Sequence, residues 1–145
     1  MDGIMKTQST FSFIASASLI ACITFIPSSN AFAEWKDLGS DERSIISVDT
    51  ATLMKTGDTA QIISMLDFKK PGEDPKTKQV VNSIIGLNEY NCAKGQYRPI
   101  EFKLFSGNRG KGKVVLDSKT PDSVFESVQD GSWAAGVFNI ACRGT

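Results

Sequence analysis

Apolar and polar residues alternate with period two along most of the chain after residue 34, the mark of strands that bury one face. The cleanest run sets Arg98, Ile100, Phe102 and Leu104 against Pro99, Glu101, Lys103 and Phe105. Pro99 cannot donate to a ladder, so this stretch lies at a sheet edge or near a strand start. Residues 59–69 predict a long strand. Ala60, Ile62, Leu66 and Phe68 share one parity and Ile63 and Met65 take the other, which implies a sheet covered on part of each side. Residues 79–92 predict another, with Val80, Ile84, Tyr90 and Cys92 on one parity and Val81, Ile85 and Leu87 on the other. Gly86 in its middle marks a bulge or bend. Shorter strands fit residues 34–38, ended by Gly39, residues 44–48, and residues 113–117.

Between these runs the punctuation is chemical. Asp49-Thr50-Ala51-Thr52 reads as a turn or a helical turn, with Asp49 able to cap Leu53, Met54 and Lys55, and Gly57-Asp58 breaks it. Pro71-Gly72-Glu73-Asp74-Pro75 predicts a loop, and Ala93-Lys94-Gly95 a tight turn. Thr120 with Pro121 opens a short helical turn carrying Val124, Phe125 and Val128. The last segment, residues 133–142, fits two periods. Trp133, Val137, Ile140 and Ala141 lie at helical spacing behind a Ser132 cap, whereas Phe138, Ile140 and Cys142 alternate as a strand would. The alanines at 134, 135 and 141 favour the helix, and Gly136 costs about 1 kcal/mol against it. With almost no polar residue, the segment belongs against the sheet.

The first 33 residues obey another rule. Lys6 is their one basic residue, residues 11–26 carry no charge, Pro27-Ser28-Ser29-Asn30 breaks the apolar run, and Ala31-Phe32-Ala33 precedes Glu34. This is the layout of a secretory signal peptide cut after Ala33, leaving residues 34–145 as one exported domain. Met5-Lys6 is an alternative start. A membrane span needs about 20 apolar residues, and this run is shorter and interrupted by Ser12, Ser16, Ser18 and Thr24. A competing cut remains open. Leu19-Ile20-Ala21-Cys22 fits a lipobox, which would put lipid on Cys22 and tie the domain to a membrane. It would also leave Ile23-Thr24-Phe25-Ile26 facing water, so the Ala33 cut is preferred.

Composition narrows the chemistry. The chain has 16 basic and 16 acidic residues and no histidine. Removing residues 1–33 takes one charge of each sign, Lys6 and Asp2, so nothing suggests a nucleic-acid partner. Without histidine the commonest general base, the paired nucleophiles and imidazole metal sites are all gone, so the reading is a non-enzyme with no cofactor or metal. Cys92 and Cys142 are an even pair in an oxidising compartment and predict a disulfide. Two buried thiols or an intermolecular bridge are the other arrangements. The carboxylate pairs Asp41-Glu42 and Glu73-Asp74 read as solvated loop residues. Gly107-Asn108-Arg109-Gly110-Lys111-Gly112 invites a phosphate cradle but lacks the P-loop spacing, so it reads as a hairpin loop. Trp35 and Trp133 read as core residues, with exposed anchors for a partner as the alternative.

The ordered set of features resembles one family. Trp35-Lys36-Asp37-Leu38-Gly39 opens the domain, and Val48-Asp49 precedes the Gly57 break. Ser83 to Tyr90 leads into Asn91-Cys92, and Tyr97-Arg98-Pro99-Ile100 follows. Then come Gly112-Lys113-Val114-Val115-Leu116-Asp117-Ser118, Phe125-Glu126-Ser127-Val128, Gly131-Ser132, and Cys142 near the end. Together these resemble the surface-adhesin protein E family of small exported bacterial proteins, over essentially all of residues 34–145. Many relatives carry an acidic residue where this chain has Asn91, and Trp where it has Phe125. The resemblance implies an α+β fold: a curved antiparallel sheet of about six strands, with a C-terminal helix on the concave face tied by the disulfide. It further implies a location in the periplasm, at the outer-membrane surface or in the medium, and homodimers. A protein partner is expected, with host extracellular-matrix proteins as the candidate class. A module holding a small apolar ligand between sheet and helix is the alternative.

Overall fold

Residues 33–144 are described in a computed structural model. The alternating runs become β1 (Trp35–Ser40), β2 (Ser44–Thr56), β3 (Thr59–Glu73), β4 (Val80–Asn91), β5 (Gln96–Phe105), β6 (Val114–Lys119) and β7 (Glu126–Ser127). β1 to β6 pair antiparallel in chain order, and the two-residue β7 pairs with β5. The main path thus has the six strands the resemblance implies, and the two-residue β7 adds a seventh too short for a periodicity to reveal.

The terminal segment is helical, as its alanines favour. α1 (Trp133–Phe138) runs into a π-helical turn (Asn139–Arg143). Ser132 caps it, its hydroxyl accepting the N–H of Ala135 at 3.2 Å. Val137, Phe138, Ile140 and Ala141 pack into a cluster with Ile46, Val48, Ala60, Ile62 and Tyr90, so the helix lies on one face of the sheet. Phe138 meets the edge of Tyr90, with ring centroids 6.1 Å apart. The disulfide joins Cys142 of the π turn to Cys92 just past β4.

Cover alternates between the two faces. Ala60, Ile62 and Ser64 pair with Tyr90, Asn88 and Gly86 under the helix. One step further along, burial moves to Met65, Asp67, Val81 and Ser83, whose side chains point to the opposite face. There the loop between β5 and β6 folds back over β4, with Gly110 against Ile85. This explains the apolar residues on both parities of β3 and β4.

Three expectations change. Residues 49–55 form no helical turn, because β2 runs through them with an irregularity between Asp49 and Met54. The Asp49 carboxylate accepts the N–H groups of Ala51 and Glu34. The Thr52 hydroxyl donates to the Asp49 carbonyl and accepts from Ile63 N–H, which staples the bulge to β3. Pro71, Gly72 and Glu73 belong to β3, with Gly72 and Glu73 pairing Val81 and Val80, so the loop shrinks to Asp74 and its neighbours. Thr120 caps no helix. Its hydroxyl turns to the Pro99 carbonyl, and the chain runs on to β7 without a helical turn.

Candidate functional site: an open aliphatic row and its flanks

The helix covers only part of its face. Across five strands, Ile46 pairs with Leu66, Leu66 with Ile84, Ile84 with Leu104 and Leu104 with Leu116. In-register aliphatic side chains pack along a sheet in this way. The row starts buried at Ile46, 7% exposed, and ends at Leu116, 36% exposed, on β6. Among the described residues nothing pairs with the outer edge of β6. An unpaired edge presents N–H and C=O groups that another chain can complete.

Beside the row, Trp133 at the helix start faces Leu66, Ile84 and Phe102 across a groove of about 300 Å³. Two buried polar residues lie along it, Ser64 and Asn88, and they satisfy each other through an Asn88 Nδ2 donation to Ser64 Oγ at 3.0 Å. Trp133 is half-buried and meets Tyr97 edge-on, with centroids 5.5 Å apart. It is thus both part of the packing and one wall of the groove.

The glycine-rich loop uses its own donors. Arg109 N–H donates to Asp67 Oδ1 at 2.7 Å and Gly110 N–H to Ser83 Oγ at 2.9 Å. Gly107 N–H goes to the Lys111 carbonyl and Lys111 N–H to the Asn108 carbonyl. A phosphate cradle needs such amides free to point at the anion, so the loop is a hairpin connection clamped to the sheet. Asp67 and Ser83, the residues that clamp it, gave no signal in the sequence beyond being polar within apolar runs.

The carboxylate pairs are turn supports. Asp41 accepts the N–H groups of Ser44 and Arg43, which hold its carboxyl below the ordinary range. Hydrogen bonds from Thr77 do the same to Asp74, while Glu73 pairs with Lys78 at 3.6 Å. On the face away from the helix, Glu89 joins Gln61 to Arg98, whose guanidinium also lies 4.7 Å from the Phe125 ring centre. Among the described residues no cluster of His, Cys, Asp and Glu could hold a metal ion, and no helix is long and apolar enough to cross a membrane. Trp35 is half-buried on the edge strand β1. Ala33 and Glu34 begin the described residues, while Ala31 and Cys22 lie outside them.

Three solved structures of Haemophilus influenzae protein E share this fold. One has a TM-score of 0.54 at 13% identity, covering 81% of this chain and 90% of that one. A second crystal form gives 0.55 at 13%, covering 81% and 94%. The protein from a non-typeable isolate gives 0.51 at 13%, covering 81% and 80%. At such identity the likeness speaks for the fold alone. A search of curated proteins finds no match. The profile of the Surface-adhesin protein E family matches residues 35–143, almost the whole of the described domain. The chain therefore belongs to the Surface-adhesin protein E family.

Proposed function

We propose that the chain is an exported, non-enzymatic envelope protein that binds another protein, with host extracellular-matrix proteins as the partner class. The observation that carries this reading is the aliphatic row from Ile46 to Leu116, which runs out from under the helix to a strand edge that nothing pairs with among the described residues. An extended segment of a partner would add to β6 by main-chain hydrogen bonds and continue the apolar row beside Leu116. The reading takes the helix-bearing face as the concave one, and the protein as a homodimer or a monomer at the envelope. Export rests on residues 1–33, with cleavage between Ala33 and Glu34, or with lipid on Cys22 as the anchored form.

Two measurements test it. In a solid-phase assay against immobilised matrix proteins, saturable binding is expected, and Leu116→Lys should reduce it. Absence of saturable binding to every matrix protein tried overturns the adhesin reading. Mass analysis of the protein from producing cells should find Glu34 at the N-terminus without lipid. A diacylated Cys22 would move the protein onto a membrane.

The groove beside Trp133 favours a second reading, a carrier of a small apolar ligand. Its roughly 300 Å³ sits at the lower end of the ligand-pocket range of about 300–1,000 Å³. Native mass spectrometry should then find a co-purified ligand that Trp133→Ala loses, and a clean apo mass counts against it.

A further inference from the structure

We propose that the cleft beside the β1–β2 turn binds an acidic polysaccharide chain, with a sugar ring over Phe68 and the anionic substituent held by Arg43 and Lys70. The cleft arises from a break in the ladder. Asp67 pairs with Ser83 and Gly72 with Val81, so residues 68–71 of β3 face only Asn82 on β4. The ladder to β4 is interrupted over these residues, and Phe68 and Lys70 both line the cleft. The Phe68 ring, half-buried, packs at Gly72, where an added Cβ would lie 3.6 Å from its Cε2. The cleft measures about 430 Å³ and is lined by Glu42, Arg43, Phe68, Lys70 and Gly72.

These groups are held in place by their neighbours. Lys69 N–H donates to the Arg43 carbonyl at 2.8 Å, and Lys69 Nζ donates to Ser40 Oγ and the Asp41 carbonyl. The Asp41 carboxylate in turn holds the N–H of Arg43. The turn carrying Glu42 and Arg43 is thereby fixed against β3, while the side chains of Arg43 and Lys70 stay exposed. Among the described residues neither makes an ion pair.

The combination selects the ligand. A pyranose has an apolar C–H face that suits an aromatic ring, and hydroxyls that suit a carboxylate such as Glu42. The planar guanidinium of Arg43 matches a carboxylate, sulfate or phosphate through two parallel hydrogen bonds. A nucleic acid would instead need a broad basic surface, and the chain has no net charge. Two cations around one aromatic floor fit a chain with about one anionic group per sugar. The site does not depend on the open edge of β6 and stands or falls apart from the protein-binding reading.

The test uses the full chain, purified as producing cells process it, with immobilised heparin and polygalacturonate as probes and neutral dextran as control. Retention on at least one acidic polymer and none on dextran is expected. Arg43→Gln with Lys70→Gln should weaken binding about tenfold or more, as loss of charge-assisted hydrogen bonds does. Phe68→Ala should weaken it at unchanged salt dependence, and Phe68→Tyr should restore it, with thermal melts confirming that each variant is folded. No retention on either acidic polymer overturns the proposal, as does equal retention on dextran. Binding that ignores Arg43 and Lys70 overturns it too. Binding that falls with salt but ignores Phe68→Ala would be general ion pairing, and would overturn the sugar site.

Discussion

The carboxylate of Asp67 on β3 accepts the backbone N–H of Arg109 at 2.7 Å, across 42 positions of sequence. The same oxygen takes the side-chain amide of Asn108 at 3.0 Å. One buried acid thus replaces a hydrophobic lid. It holds the β5–β6 loop down over Ser83 and Ile85, on the face the helix leaves bare.

Replacing Asp67 by Ala should cost about 2 kcal/mol, the scale of hydrogen bonds to a charged acceptor. Urea unfolding gives the number. Hydrogen exchange gives the location, since Arg109 and Gly110 amides should exchange faster while those of β2 hold. Asp67→Asn keeps one acceptor oxygen and should lose less. A variant as stable as wild type, with the loop still protected, would mean that the loop is held by other contacts.

How legible the fold was depended on how local each signal is. Period two in residues 98–105 and the apolar parities of β3 and β4 are enough to place the long strands, because each side chain reports its own face. Helical spacing and the Ser132 cap located α1. The bulge at Asp49 looks in sequence like a turn or a helical turn because its carboxylate has amide partners in either arrangement, and only Ile63 on the neighbouring strand decides for the extended one. The same is true of Thr120, whose partner Pro99 lies 21 positions away. The candidate site was least legible. The row from Ile46 to Leu116 exists only through the register of five strands, and the Phe68 cleft only through the ladder break opposite Asn82.

Breaking the disulfide should be costly for an entropic reason. Cys92 and Cys142 are 50 positions apart, so the cross-link removes a long loop from the unfolded chain, worth about 4 kcal/mol in the chain-entropy description. The double variant Cys92→Ser with Cys142→Ser should show that loss in denaturant unfolding. Circular dichroism should keep the strand signal in water. A loss below about 1 kcal/mol would show that the unfolded chain is already compact around this pair.

Gly86 is required by a close approach. An added Cβ would lie 3.0 Å from the Glu101 carbonyl oxygen and 3.1 Å from Phe102 Cβ, on the strand paired with it. Gly86→Ala should therefore destabilise by about 1–3 kcal/mol, although alanine normally favours a strand over glycine. Gly86→Val should be worse. Equal or greater stability of the alanine variant in thermal unfolding would mean that β5 moves aside at little cost.

Tyr90 carries a buried hydroxyl with no hydrogen-bond partner among the described residues. Its side chain is fully buried, between the rings of Tyr97 and Phe138. An unsatisfied buried donor is a cost, so Tyr90→Phe should leave stability unchanged or raise it by about 1 kcal/mol. The same burial pushes the phenol well above its ordinary value of 10.0. Tyr97 is raised too, by burial and then by the charge of Glu126. The sign of the pH effect follows. Once the pH passes about 10, the unfolded chain loses the Tyr90 proton while the folded chain keeps it. The folded state then binds more protons, and stability falls with rising pH. Thermal unfolding from pH 8 to 11 should show a decline beginning near pH 10 in wild type and a shallower one in Tyr90→Phe. Equal slopes in the two proteins would mean that the Tyr90 hydroxyl reaches water in the folded state.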